Sequence, residues 1–263
     1  MPEMEHYLEG KHAIVTGGSR GIGAAVAAEL VARGAKVTIM GRSKQTLERQ
    51  AQQLRGEPGV TVAIEECDVS DESSVRSAFG NAVAALGPAY ILVNNAGIAK
   101  SVKFTQTTLE TWNEILGVNL TGTFLCTAEV IPAMIEARDG RVVNIASTAA
   151  MRGYKTMSAY CASKHGVMGL TRSLALETAK HGITVNAVCP GYVDSDMTAS
   201  AVKNLMTKLG KTSEDAMNLL TATNPQGRLI TPEEVASAVS WLCSPGASGV
   251  TGIALPIAGG EVS

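Results

Sequence analysis

A tyrosine and a lysine stand four residues apart in the stretch SAYCASKHG, as Tyr160 and Lys164. On a helix, residues at this spacing lie on one face, about 5–6 Å apart. A free phenol has a pKa of about 10, too high for efficient proton transfer near neutrality, and a neighbouring positive charge favours the phenolate. We therefore predict that Lys164 lowers the pKa of Tyr160 for acid–base chemistry. An ordinary helix start is the alternative, so the surrounding motifs must decide.

A glycine-rich stretch, IVTGGSRGIG, leads from the first apolar run into a helical pattern. Gly17, Gly21 and Gly23 allow a tight turn and a close approach of the backbone, and the helix start beyond them offers free N–H groups. The spacing is GxxxGxG, which differs from the GxGxxG fingerprint. At this place in a first βαβ unit, pyrophosphate binding is favoured over a plain tight connection.

The end of the second apolar run, TIMGRS, indicates which dinucleotide binds. NAD-binding proteins usually carry Asp or Glu there, whereas this chain has Gly41 and Arg42. Arginine forms charge-assisted hydrogen bonds to a 2′-phosphate, and Arg20 in the glycine turn adds a second cation. With no acid within reach of this strand end, NADP(H) is expected rather than NAD(H). Arg42 as an ordinary surface residue is the alternative.

Seven Val- and Ile-rich runs alternate with helical patterns, as expected of parallel strands covered on both faces. The predicted strands are 12–16, 36–40, 60–66, 90–95, 141–147, 184–189 and 252–257. The predicted helices are 21–33, 44–54, 71–86, 108–136, 158–181 and 233–243. This alternation predicts the α/β class: a single doubly wound Rossmann domain over residues 1–263, with a seven-stranded parallel sheet and helices on both faces.

The stretch from about 195 to 226 breaks this alternation and resembles two short amphipathic helices. Long excursions from a compact sheet are commonly lids, with an oligomer contact as the alternative. The apolar residues suited to an acyl chain or a ring are Met197, Leu205, Met206, Leu209, Met217, Leu219 and Leu220. The cations suited to phosphate groups, unless they form a solvated helix face, are Lys203, Lys208 and Lys211 in this stretch and Arg152 and Lys155 just before Tyr160.

The composition excludes several classes of protein. A net charge of −2 with 17% charged residues argues against a nucleic-acid partner. The five cysteines are scattered without a CxxC pair, which fits reduced thiols, and the four histidines lack metal-ligand spacing, so no metal site is expected. The opening residues lack the pattern of a signal peptide, and no apolar run approaches the roughly 20 residues that span a membrane. We therefore expect a soluble, cytoplasmic protein.

Six motifs in order resemble those of the short-chain dehydrogenase/reductase family, over essentially residues 8–260. They are TGGSRGIG, NNAG, Asn119 in GVNLTG, Ser147 in NIAS, Tyr160-x-x-x-Lys164, and the Pro-Gly pair at 190–191. The resemblance implies that Tyr160 protonates a carbonyl oxygen as hydride arrives, or acts as the base in the reverse direction. It implies that Ser147 orients the substrate oxygen, that Asn119 holds a water of the proton relay, and that Lys164 also holds the nicotinamide ribose.

The resemblance also implies a set of cofactor contacts along the carboxyl edge of the sheet. Besides Tyr160 and Lys164 they are Gly17, Ser19, Arg20, Gly21, Ile22, Gly23 and Arg42 toward the phosphates, Asp68 and Val69 beside the adenine, Asn95, Ala96 and Gly97 along the ribose, and Pro190, Gly191, Val193 and Ser195 at the nicotinamide carboxamide. Two residues depart from the family pattern. Ser195 stands where threonine is common, and Ala258 stands where an aspartate is frequent.

The implied activity is reduction of a ketone to a secondary alcohol, or its reverse, on a small carbonyl or alcohol substrate. The resemblance extends to 3-oxoacyl-thioester reductases and aromatic polyketide ketoreductases, so a CoA or carrier-protein thioester is the expected substrate. The alternatives are a 3-hydroxybutyrate-type dehydrogenase, a free ketone or sugar, an epimerase or dehydratase, and a non-catalytic dinucleotide sensor. A homotetramer built on helices 108–136 and 158–181 is also implied, with burial in the core as the alternative.

Overall fold

A parallel sheet of seven strands forms the centre of the computed structural model, which describes residues 6–56 and 59–262 apart from the side chains at 208 and 209. The strand order is β3-β2-β1-β4-β5-β6-β7. The strands are β1 His12–Thr16, β2 Lys36–Gly41, β3 Val62–Glu66, β4 Ile91–Asn94, β5 Gly140–Ile145, β6 Ile183–Pro190 and β7 Ala254–Ile257. This sheet confirms the predicted α/β class and all seven predicted strands. The single-domain count over residues 1–263 stays a prediction.

Nine helices pack around the sheet in the described part of the chain. They are α1 Gly21–Ala32, α2 Lys44–Leu54, α3 Glu72–Leu86, α4 Leu109–Leu116, α5 Gly122–Ala137, α6 Ser158–Thr178, α7 Asp196–Leu209, α8 Ser213–Thr221 and α9 Pro232–Cys243. The start of α9 follows the sequence closely. Pro232 occupies its first turn, and Thr231 forms a capping box with Glu234.

Side chains from β1 alternate between two cores. Ala13 and Val15 pack in one core with α1 and α9, whereas Ile14 packs in the other with residues of α3 and α5. Both faces are therefore buried, which explains why the strands read as continuous apolar runs. The strand order reverses between β1 and β4, so a crevice opens beyond the carboxyl ends of these two strands.

The predicted helix 108–136 is divided by a π-helical turn, Gly117–Thr121, between α4 and α5. An 18-residue window within the combined segment Leu109–Ala137 has a mean hydropathy of 1.4, and the segment is long and apolar enough to cross a membrane. This differs from the sequence expectation, which found no such run. The segment lies against the protein core, where Cys126, Val130 and Met134 are buried in the cluster that includes Ile14. Because 39% of the apolar window is buried, packing on the sheet accounts for part of its apolar character.

Candidate active site

Tyr160 and Lys164 lie on consecutive turns at the start of α6, as their spacing predicts. Lys164 is buried, its Nζ lies 5.8 Å from the centre of the Tyr160 ring, and it donates a hydrogen bond to the Ile145 carbonyl at 2.8 Å. Ser147 stands two residues beyond the end of β5 and caps a short 3₁₀ turn, Thr148–Ala150. The structure therefore brings the predicted serine, tyrosine and lysine to one end of β5.

Burial dominates the electrostatics of this group. It raises the pKa of Tyr160 to about 12, against a smaller opposing contribution from a hydrogen bond with Ser147. Burial also lowers the pKa of Lys164 to about 8. Burial therefore raises the net pKa of Tyr160, and the lowering contribution expected from Lys164 stays a prediction. The physical reason is that withdrawing the phenolate from water outweighs the stabilisation that nearby groups give it.

Asn119 is buried within the π-helical turn, and its side chain makes three hydrogen bonds. Oδ1 accepts from the Ile98 amide at 2.8 Å, while Nδ2 donates to the Ile98 carbonyl and to Ser163 Oγ, each at 3.0 Å. A side chain at Gly97 would meet Asn119 Oδ1 at 3.3 Å and Lys164 Nζ at 3.7 Å. The asparagine side chain therefore fixes the loop that follows β4 beside Lys164. π-Bulges of this kind are frequent at functional sites.

The glycine turn fits a dinucleotide pyrophosphate. A Cβ at Gly23 would lie 2.2 Å from the Gly17 carbonyl oxygen, and one at Gly17 would lie 2.9 Å from Asn95 Nδ2, so both must be glycine. Gly21, by contrast, has a φ of 52° and faces the space in front of Ser195, at 3.8 Å. Arg20 is the N-cap residue of α1, and its side chain makes no capping hydrogen bond to the helix. The first turn of α1 carries no acid, so the N–H groups at the start of this helix are available to an anion.

Two residues after β4 join this turn to the centre of the sheet. Asn95 donates from Nδ2 to the carbonyls of Thr16 and Gly17 at 3.0 and 3.1 Å. The amides of Asn95 and Ala96 both donate to Thr16 Oγ1. Thr16 was not among the predicted site residues, although a hydroxyl at the last position of β1 could have indicated it. These bonds hold the predicted phosphate and ribose ends of the site in a fixed relation.

The end of β2 differs from the sequence expectation in one respect. Gly41 pairs with Glu66 across the sheet, so an acid does lie within reach of this strand end. The sequence window around Arg42 could not reveal it, because the residue belongs to β3. Glu66 Oε1 accepts a hydrogen bond from the Lys44 amide at the start of α2, where the helix dipole stabilises a carboxylate. Arg42 is exposed and makes no ion pair within 4 Å in the described part of the chain.

The other predicted contacts on the adenine side follow β3. Hydrogen bonds from the Ser70 side chain and amide lower the pKa of Asp68, and Arg42 adds a weaker attraction. Val69 is buried, and a Cβ at Gly122 would meet it at 2.8 Å, so the valine also packs against α5. Ser19 lies near the end of β2, 3.9 Å from a Cβ placed on Gly41, and Ile22 packs against the core on the α1 side.

The predicted nicotinamide contacts lead from β6 into α7. Pro190 ends β6, and the Gly191 amide donates to the Ile257 carbonyl. Val193 pairs with Ile230 beyond the sheet, and Ser195 is the N-cap of α7, accepting from the Thr198 amide. The stretch from about 195 to 226 that interrupts the strand–helix alternation therefore begins at the predicted cofactor contacts. Its two helices, α7 and α8, confirm the predicted helical pair.

The apolar residues of α7 and α8 divide into two groups. Leu205, Met217 and Leu220 pack with Tyr192 in a small cluster that holds the two helices together. Met197, Met206 and Leu219 are exposed, while the side chains of Leu209 and Lys208 lie outside the described part of the structure. The first group therefore contributes to packing between the two helices, and the suitability of the set for an acyl chain or a ring stays a prediction. Lys203, Lys211, Arg152 and Lys155 are all exposed.

Comparison with known proteins places this arrangement in a family. Residues 11–205 match the family described as short chain dehydrogenase. The chain belongs to the short-chain dehydrogenase family. The resemblance predicted from the six motifs is thereby confirmed, as is the expectation of an NAD(P)H-dependent oxidoreductase. The roles of the individual site residues stay predictions.

Three relatives of this family member carry names that concern ketone reduction. The chain is 39% identical over 257 residues to the 3-oxoacyl-[acyl-carrier-protein] reductase FabG of Aquifex aeolicus, covering 98% of this chain and 99% of the relative. It is 39% identical over 253 residues to FabG of Salmonella typhimurium, covering 96% and 98%. A crystal structure of a variant of actinorhodin polyketide ketoreductase with NADPH superposes with a TM-score of 0.92 at 40% identity, covering 95% of this chain and 97% of that chain.

Proposed function

We propose that this protein uses NADPH to reduce the 3-oxo group of an acyl or polyketide-type thioester to a secondary alcohol. The observation that carries the proposal is the placement of Ser147, Tyr160 and Lys164 at the end of β5, beside a glycine turn suited to a pyrophosphate. The relatives' names support the substrate class, since two act on a 3-oxoacyl carrier protein and a third on a polyketide.

The proposed mechanism assigns the proton to Tyr160. Bound NADPH would supply the hydride that reaches the carbonyl carbon. Ser147 would donate a hydrogen bond to the carbonyl oxygen, and Tyr160 would transfer its phenolic proton to the same oxygen. The tyrosinate left behind is stabilised by the positive charge of Lys164, and it regains a proton from solvent through a relay that Asn119 supports. A pKa raised by burial keeps Tyr160 protonated before the reaction, as a proton donor requires.

The cofactor preference rests on charge at the ends of β1 and β2. Arg42 is exposed and has no acidic partner within 4 Å among the residues that the structure describes, and Arg20 stands in the glycine turn, so two guanidinium groups are available to a 2′-phosphate. Arg20 contacts Asp196 at 3.3 Å in an exposed ion pair, which a phosphate would replace at little cost. These features support NADP(H) over NAD(H) even with Glu66 nearby.

Turnover of two ketones tests the substrate class. We expect a higher kcat/KM for acetoacetyl-CoA than for a bicyclic ketone such as decalone, measured by NADPH oxidation. Lys203→Glu and Lys211→Glu should raise KM for the thioester more than for the decalone if the cations of α7 and its following loop meet the phosphates of the thioester arm. Lys180→Glu, exposed just beyond α6, is the matched control. A preference for decalone would contradict the thioester assignment.

We further propose a homotetramer that uses the outer faces of α5 and α6. Phe124 on α5 is 53% exposed, and Leu176 on α6 is 83% exposed. Large apolar side chains at such exposure fit a protein contact. We also propose the cytoplasm as its compartment, since all five cysteines are free and buried. Light scattering with Phe124→Glu tests the assembly, because a tetramer should then dissociate; an unchanged mass would contradict this surface.

A further inference from the structure

Glu261, in the segment that follows β7, lies between two parts of the proposed site. Its Oε1 is 2.5 Å from the phenolic oxygen of Tyr154, in the loop that leads to Tyr160. Its Oε2 lies close to the backbone of Gly191: a Cβ placed on Gly191 would be 3.1 Å from this oxygen. One carboxylate thus bridges the predicted nicotinamide contact and the loop before the catalytic tyrosine.

Tyr154 extends this contact to Ser147. Its phenolic oxygen is also 2.7 Å from Oγ1 of Thr148, the buried residue that follows Ser147. A carboxylate only accepts hydrogen bonds and a phenol has one proton, so Tyr154 donates to Glu261 and accepts from Thr148. Burial and the bond to Glu261 raise the pKa of Tyr154, so this phenol stays protonated. The result is a hydrogen-bonded chain that ends one residue from the predicted substrate contact.

The segment that carries Glu261 is held in place by the return from α8. Gly259 has a φ of 61°, and a Cβ there would lie 2.0 Å from Asn224 Oδ1, so the backbone and this asparagine are in close contact. Asn224 is itself buried and donates to the Arg228 carbonyl at 2.7 Å. The position of the carboxylate is therefore determined by packing on one side and by Tyr154 on the other.

The charge of Glu261 has no ion-pair partner within 4 Å in the described part of the chain. Arg152 stacks on the Tyr154 ring, with its guanidinium carbon 4.9 Å from the ring centre. Arg152 is exposed, so water screens its charge. Glu261, Tyr154 and Thr148 form a hydrogen-bonded wall beside Ser147, and this wall carries the negative charge of Glu261.

We infer that Glu261 is a specificity-determining residue that selects neutral 3-oxo esters and thioesters over free 3-oxo carboxylates. The inference rests on the proposed function, because it requires a ketone held at Ser147 and Tyr160. C1 of a 3-oxo acid is two bonds from the ketone carbon, so a free carboxylate there stays close to the wall. Like charges repel strongly in a partly buried cleft, whereas an ester or thioester carries no charge at C1. The wall thus discriminates against free 3-oxo and 3-hydroxy acids.

The test compares acetoacetate with ethyl acetoacetate under saturating NADPH. We expect Glu261→Gln to raise the ratio of kcat/KM for acetoacetate to kcat/KM for ethyl acetoacetate by about tenfold, the size expected for one partly screened charge. Tyr154→Phe should raise the ratio by less, because the carboxylate keeps its charge but loses its anchor. Glu136→Gln makes the same charge change at an exposed position near the end of α5 and should leave the ratio unchanged.

Three outcomes distinguish failure of this inference from failure of the proposed function. An unchanged ratio in Glu261→Gln, in a protein that reduces ethyl acetoacetate, overturns the inference alone. An equal fall of kcat/KM for both substrates shows a merely structural role and also overturns it. Failure of the native protein to oxidise NADPH with either ethyl acetoacetate or acetoacetyl-CoA refutes the proposed function itself.

Discussion

Replacing Lys164 by methionine should make the protein more stable while it removes the activity. Burial lowers the pKa of Lys164 from 10.5 to about 8. At about 1.4 kcal/mol per pKa unit, keeping the charged side chain buried near neutral pH costs roughly 3 kcal/mol of unfolding free energy. A methionine side chain can occupy the same space as the lysine side chain but carries no charge. It leaves the Ile145 carbonyl without its donor, a loss of about 1–3 kcal/mol, so a net gain of about 1 kcal/mol is expected.

Urea denaturation of Lys164→Met and native protein, both free of cofactor, measures this gain. Lys180→Met is the control, since it removes an exposed lysine just beyond α6. The pH dependence supplies a second criterion. Because the folded pKa is depressed, the native protein gains stability as the pH rises from about 8 toward 10.5, where the unfolded lysine still holds its proton. The advantage of the variant should therefore shrink over that window.

A Lys164→Met protein that is less stable than the native one by about 1 kcal/mol or more would contradict a large desolvation cost at Lys164. An advantage that grows between pH 8 and 10 would refute it equally. The same variant should lose both turnover and NADPH affinity, because one side chain is proposed to serve both.

Three further predictions address other parts of the structure. Arg42→Asp should reduce the preference for NADPH over NADH by roughly 10- to 100-fold in fluorescence titrations, and Glu66→Gln should increase this preference. If the preference is unchanged in both variants, the 2′-phosphate binds elsewhere. Asn119→Ala should lower the unfolding free energy by about 2–4 kcal/mol, since three buried hydrogen bonds are lost, whereas Asn81→Ala, exposed with one bond, should change it little. Burial lowers the pKa of His12 below 6.5, so stability should fall as the pH drops through 6.5, and a His12→Gln protein should lack this slope.

The sequence predicted well those features that depend on local pattern. The apolar runs gave all seven strands, because strands covered on both faces leave a continuous signal. The glycine turn was predictable too, since contacts at Gly17 and Gly23 leave no room for a side chain. The six motifs placed Ser147, Tyr160 and Lys164 at strand ends and helix starts, where the fold brings them together.

Features that depend on contacts between distant parts of the chain could not be predicted from the sequence. Glu66 comes to Gly41 only through the pairing of β2 with β3, and Glu261 comes to Tyr154 only through β7 and the return from α8. The raised pKa of Tyr160 depends on how deeply its ring is buried, which a spacing of four residues does not reveal. A helical period likewise cannot show that Asn119 occupies a π-helical turn.

In the proposed mechanism, Tyr160 donates the proton when NADPH reduces a 3-oxo thioester. The most direct test is the single-turnover rate of NADPH oxidation with acetoacetyl-CoA in the native protein and in Tyr160→Phe, with NADPH affinity measured for both. Tyr90→Phe, at the opposite edge of the sheet before β4, is the matched control. We predict a rate lower by about 10²- to 10⁴-fold in Tyr160→Phe with NADPH affinity retained. A Tyr160→Phe protein within about tenfold of the native rate would contradict the assignment.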